Sequence, residues 1–75
     1  MSNQANSLAV RHLINIEKNI NRGTDSHRAV LAALGEAGGI EAIQHLIQVE
    51  QTINRGTDSH RAVLNALGRA GRIVE

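Results

Sequence analysis

The sequence predicts an all-α fold of four helices, arranged as two tandem 33-residue helical hairpins. Three observations predict it. The twelve residues INRGTDSHRAVL occur twice, from Ile20 to Leu31 and from Ile53 to Leu64, at an offset of 33. Apolar residues recur three and four positions apart on both sides of each copy, the spacing of one face of a helix. Proline is absent, so glycine alone punctuates the chain.

The offset holds outside the identical block. His12 maps to His45, Leu13 to Leu46, Ile14 to Ile47, Glu17 to Glu50, and Ala33-Leu34-Gly35 to Ala66-Leu67-Gly68. Residues 7–39 and 40–72 are therefore read as two units of a single domain spanning 8–75. Met1 to Ser7 is polar and uncharged. It is read as a disordered N-terminal segment and not as a signal peptide.

The first helix is expected near 8–21, with Ala9, Leu13, Ile16 and Ile20 as its stripe and Val10 and Ile14 beside it. The second, near 25–37, carries Val30, Leu31, Leu34 and Ala37. The third, near 40–54, repeats the first stripe with Ala42, Leu46, Val49 and Ile53. The fourth, near 58–70, repeats the second with Val63, Leu64, Leu67 and Ala70. Thr24 and Thr57 precede an acidic residue, which is N-cap chemistry. Gly23 and Gly56 are expected to end the preceding helices in a left-handed conformation. Gly35 and Gly68 are either early C-caps or positions of close packing. Short connections make neighbouring helices antiparallel. The architecture is either α-solenoid-like or a closed four-helix bundle.

Composition excludes several classes of function. The chain has 75 residues and no cysteine, which removes disulfides, thiolate nucleophiles and cysteine-ligated metal sites. It has no Phe, Tyr or Trp, so it offers no stacking platform for unpaired bases. Eight Lys and Arg oppose seven Asp and Glu, a net charge of +1 spread over both halves. A dominant phosphate-neutralising mode is not indicated. No apolar run reaches the roughly 18 residues of a membrane span. A cytoplasmic, soluble protein without cofactor and without enzymatic activity is expected.

The stretch from Arg28 to Gly38, with Ala33-Leu34-Gly35, followed by Glu41-Ala42-Ile43 and Leu46-Ile47, resembles HEAT-like helical-hairpin repeats of the phycobilisome-lyase type. The second copy repeats the pattern from Arg61 to Gly71. The 33-residue unit is longer than that family's usual repeat, and Asp25 and Asp58 stand closer to the arginine. Thr24-x-x-His27 and Thr57-x-x-His60 also resemble the start of ankyrin repeats. Either resemblance implies an α-solenoid-type interaction module.

The dense polar block Asn21 to Arg28, repeated at Asn54 to Arg61, is the candidate site. In one reading it binds an anion or a partner. Arg22, Thr24, Ser26, His27 and Arg28, with Arg55, Thr57, Ser59, His60 and Arg61, would surround free backbone N–H groups at two helix N-termini. In the other it only holds the hairpin: Thr24 caps, His27 reaches back to Thr24, and Arg28 pairs with Glu17 across a turn centred near 22–23. Arg61 would pair with Glu50 in the same way. The four histidines show no His-x-x-x-His or Glu-x-x-His spacing on one helix, so no metal site is assigned. At the other end, Arg69 and Arg72 could meet Glu36 and Glu41 of another chain, although a solvated C-terminus is preferred.

About three or more repeat units are usually needed to bury a solenoid core, and this chain has two. A homo-oligomer is therefore expected, with a symmetric dimer favoured and Leu13, Ile14, Leu46 and Ile47 as its apolar interface. The functional expectation is a helical-repeat module that binds protein and self-associates. The alternative is nucleic-acid binding through the duplicated arginine-bearing helix N-termini.

Overall fold

The computed structural model describes residues 3–72, and among them every regular element is helical. The elements are α1 (Asn3–Asn19), α2 (Asp25–Ala37), α3 (Ile40–Thr52) and α4 (Asp58–Arg72). The all-α class with four helices is as the sequence predicts. Helix α1 runs back to Asn3, through positions read from sequence as disordered, while Met1 and Ser2 lie outside the described residues. The first turns of α1 are tied to distant chain: Asn6 Nδ2 donates to the Ala37 carbonyl at 3.3 Å, and Ser7 Oγ donates to Glu41 at 3.2 Å.

Capping chemistry sets the internal boundaries. Thr24 Oγ1 accepts the His27 N–H at 3.1 Å, and Thr57 Oγ1 accepts the His60 N–H at 3.1 Å. Both hydroxyls also donate back to the preceding turn, to the Asn21 and Asn54 carbonyls at 2.9 and 2.8 Å. These contacts satisfy amides that a helix N-terminus leaves unpaired. Gly38 ends α2 with φ 68° and donates its N–H to Leu34. Gly23 and Gly56 do adopt positive φ, 86° and 83°, but they do not end helices. Helices α1 and α3 stop at Asn19 and Thr52, so each glycine shapes the turn just before the next N-cap.

The helices pack as two layers. Helix α2 packs most extensively on α4, α1 packs on α3, and each hairpin closes on itself. Packing of α1 on α2, α2 on α4, α4 on α3 and α3 on α1 forms a closed circuit, in which α1 and α4 stand at opposite corners among the described residues. Gly35 permits the α2–α4 approach: a Cβ there would lie 2.8 Å from the Ala66 Cα and 2.9 Å from its carbonyl oxygen. This settles its role as a close-packing position. Gly68, its repeat counterpart, faces open space.

The core is small and aliphatic: Val10, Val30, Leu31, Leu34, Ala42, Leu46, Val49, Val63, Ala66 and Ala70. The expected α3 stripe is buried through Ala42, Leu46 and Val49. The α1 stripe is turned from expectation. Val10 and Glu17 are its buried positions, Leu13, Ile14 and Ile16 are half-buried, and Ala9 is exposed. A carboxylate therefore occupies the buried line of the first helix.

Candidate functional site: a repeated carboxylate–histidine cluster

Glu17 lies in the last turn of α1 and is almost wholly buried, 3% exposed. Its oxygens are divided between two imidazoles. His27 Nε2, from the first turn of α2, lies 2.9 Å from Oε2, and His45 Nε2, from α3, lies 2.7 Å from Oε1. Arg22 Nε, from the turn, stands 3.7 Å from Oε2. The Gly23 N–H points at His27 Nδ1 at 3.4 Å. With Nδ1 accepting, the ring proton of the neutral imidazole sits on Nε2, where it donates to the carboxylate.

One carboxylate thus joins α1, the following turn, α2 and α3. Burial by itself would raise the Glu17 carboxyl pKa. The hydrogen bonds from His27 and His45, with the charges of His45 and Arg22, outweigh it and hold the pKa below its ordinary 4.5. Arg22 also donates from Nη1 to Thr52 Oγ1 at 3.0 Å, tying the first turn to the end of α3. Beside the cluster is a surface cleft of 360 Å³ lined by Glu17, Arg22, His45, Gln48 and Thr52 among others. Among the described residues, no group of three or more His, Cys, Asp and Glu side chains can hold a metal ion.

The second copy of the block builds half of the same cluster. His60 Nε2 lies 3.2 Å from Glu50 Oε2, and Arg55 Nη2 lies 4.0 Å from the same oxygen. No second histidine stands against Glu50 among the described residues, and both side chains are partly open to solvent.

The structure corrects several expectations. Arg28 does not pair with Glu17; it pairs with Asp25 and donates to the Gly23 carbonyl at 3.1 Å. Arg61 likewise turns to Asp58, at 4.0 Å, and not to Glu50. The His27 ring is fully buried on Glu17, so it is unavailable to an external ligand, and only its backbone N–H meets Thr24. Leu46 is fully buried and cannot serve as an intermolecular surface. Ile47 is exposed, while Leu13 and Ile14 are half-buried against the core. Ser26 is exposed, but Ser59 is buried, and its Oγ has no hydrogen-bond partner among the described residues. Arg69 meets Glu36 of its own chain at 3.1 Å.

Sequence reasoning missed the joint role of Glu17, His27 and His45. The signal was present: Glu17, His27 and His12 all recur at the 33-residue offset, as Glu50, His60 and His45. No helix among the described residues is long and apolar enough to cross a membrane. Comparison with protein-family models, with curated proteins and with solved structures finds no match to this chain.

Proposed function

We propose that the chain is a non-enzymatic helical-repeat interaction module that binds protein and self-associates through apolar helix faces. The observation that carries this reading is the set of exposed large apolar side chains: Leu8, Ile40, Ile47 and Leu64. Leu8 and Ile40 are each 68% exposed and Leu64 48%, in a domain whose core has no aromatic side chain. The HEAT-like resemblance supports the same reading, and the absence of cysteine suits a reducing, cytoplasmic setting.

The buried cluster supports a structural duty for the repeated polar block. Its carboxylate accepts from both imidazoles. Nucleic-acid binding has less support at the first copy of the block, whereas Arg55 and Arg61 of the second are largely exposed. Arg22 is engaged by Glu17 and Thr52, and Arg28 by Asp25 and the Gly23 carbonyl.

Light scattering coupled to size-exclusion chromatography tests the proposal, in low and in high salt. The expected result is a mass above that of the 8.1 kDa chain in both, because apolar contacts are not screened by salt. A monomer in both, up to about millimolar concentration, where only contacts weaker than about 4 kcal/mol go undetected, would overturn it.

A further inference from the structure

We propose that a second copy of this chain docks head to tail, its first hairpin on the open face of the second hairpin, and that its His12 completes the Glu50–His60 cluster. The proposal rests on the self-association reading above and names the occupant and its register.

The contact between the two hairpins inside the chain supplies the argument. On the first-hairpin side it buries Leu31 fully and seats Gly35 against Ala66. The counterparts 33 residues later are open: Leu64 is 48% exposed, and nothing lies within 4 Å of where a Gly68 Cβ would be. On the second-hairpin side the same contact buries Ala42, His45 and Ala66. Their counterparts are less covered, Ala9 and His12 exposed and Ala33 half-buried. The open face of the second hairpin therefore presents what the first hairpin presents to its neighbour. The open face of the first presents what the second does. One further 33-residue step, taken by a second copy, joins them.

Two of the pairs that differ between the hairpins keep this fit. Within the chain Glu36 meets Arg69 at 3.1 Å. The step brings Arg69 of the first copy to Glu36 of the second, so the charges exchange sides and remain opposite. Within the chain Ser7 donates to Glu41 at 3.2 Å. The step replaces that polar pair with Ile40 of the first copy and Leu8 of the second, each 68% exposed in the single chain. A polar pair becomes an apolar pair with both members changed together, while the Arg11–Glu41 ion pair at 3.3 Å has Gln44 and Leu8 as its counterparts. Leu64 and Ile47 also lie at counterparts of covered or half-covered positions, Leu31 and Ile14.

The polar centre of the junction follows the same step. Glu17 holds His27 of its own hairpin and His45 of the next. Glu50 holds His60 of its own hairpin, and the histidine one step on is His12 of the second copy. Among the described residues, no carboxylate is paired with His12 within one chain. The two faces differ, so the contact is heterologous. It builds an open stack or a ring, where the sequence favours a two-fold dimer.

Sedimentation velocity over a concentration series tests this with three variants. Ala9→Arg places bulk on one face, and Gly68→Gln places a side chain on the other; both positions are exposed, so the fold is retained. The wild type is expected to grow beyond a dimer with concentration, and each variant alone to be monomeric. An equimolar mixture of the two keeps one intact junction and should stop at a heterodimer. His12→Ala should weaken wild-type association at least about tenfold, the smaller end of a lost charge-assisted hydrogen bond. A monomeric wild type overturns this proposal together with the self-association reading. A closed dimer unaffected by Ala9→Arg and Gly68→Gln leaves self-association standing and overturns the head-to-tail register. Association blocked by those two but indifferent to His12→Ala overturns the assignment of His12.

Discussion

Glu17 and Glu50 occupy the same position of the repeat, ahead of the identical twelve residues Ile20 to Leu31 and Ile53 to Leu64, yet their surroundings differ. Glu17 is enclosed by His27, His45 and Arg22. Glu50 has His60 and a distant Arg55 and is partly open to water. The turn and cap that follow are the same in both, and the second imidazole at Glu17 comes from the neighbouring hairpin, which Glu50 lacks among the described residues. The same motif is a buried latch where a neighbour covers it and a surface pair where none does.

Breaking each latch should separate the two most widely. Glu17→Ala leaves the His27 and His45 Nε2 groups buried without their acceptor, and is expected to cost about 3–5 kcal/mol. That is a large share of the stability of a small domain. Glu50→Ala removes a partly solvated pair and is expected to cost about 1 kcal/mol or less in dilute solution. Urea unfolding followed by circular dichroism measures both. Equal losses would mean that His45 adds nothing to the first site.

Acid should reach the first latch in the same way. The pKa of Glu17 is lower in the folded chain than its ordinary 4.5, so the unfolded chain binds the proton more readily. The stabilisation is complete above about pH 4.5 and is lost as pH falls through the folded value. The groups that face this carboxylate are His27 from α2, His45 from α3 and Arg22 from the turn. A series of unfolding curves between pH 6 and pH 3 should fall more steeply for the wild type than for Glu17→Gln, which has no carboxyl to protonate. Parallel curves would assign the acid loss to other carboxylates.

The partner of Glu17 was within one residue of legible in the sequence. A hairpin turn centred between 22 and 23 sets position 17 against 28, which selects Arg28. The real turn runs from Ile20 to Thr24, centred on Arg22, and sets 17 against His27. Half a residue of turn geometry decided between arginine and histidine. His45 was beyond such arithmetic, because it reaches Glu17 through packing of α1 on α3. By contrast, the caps and the α3 stripe were legible, since their periodicity and local hydrogen bonds lie within one helix. The α1 stripe was misread because a carboxylate on the buried line looks polar until its partners are known.

Glycine sharpens the comparison at smaller magnitude. At Gly35 a Cβ would lie 2.8 Å from the Ala66 Cα, so Gly35→Ala forces α2 and α4 apart. Overpacking of that kind costs about 1–3 kcal/mol, against a helix-propensity gain of about 1 kcal/mol. A net loss is expected. At Gly68 the space is open, so Gly68→Ala should stabilise the dilute chain by about 0.5–1 kcal/mol. Melting temperatures should therefore move in opposite directions. Movement in the same direction would contradict the asymmetry of the two faces.

Thr24 and Thr57 test the part of the repeat that should not differ. Each hydroxyl accepts an amide at 3.1 Å and donates to a carbonyl three residues back, and both residues are exposed. Among the described residues, both hydroxyls make their hydrogen bonds within their own hairpin. Thr24→Ala and Thr57→Ala are each expected to cost about 1 kcal/mol, the ordinary loss of an N-cap, and to agree within error. Agreement there, beside a wide gap between Glu17→Ala and Glu50→Ala, would place the asymmetry of the molecule in its tertiary contacts and not in the helices themselves. A larger loss at Thr24 would mean that the cap and the buried latch act as one unit, linked through His27, whose backbone serves the first and whose ring serves the second.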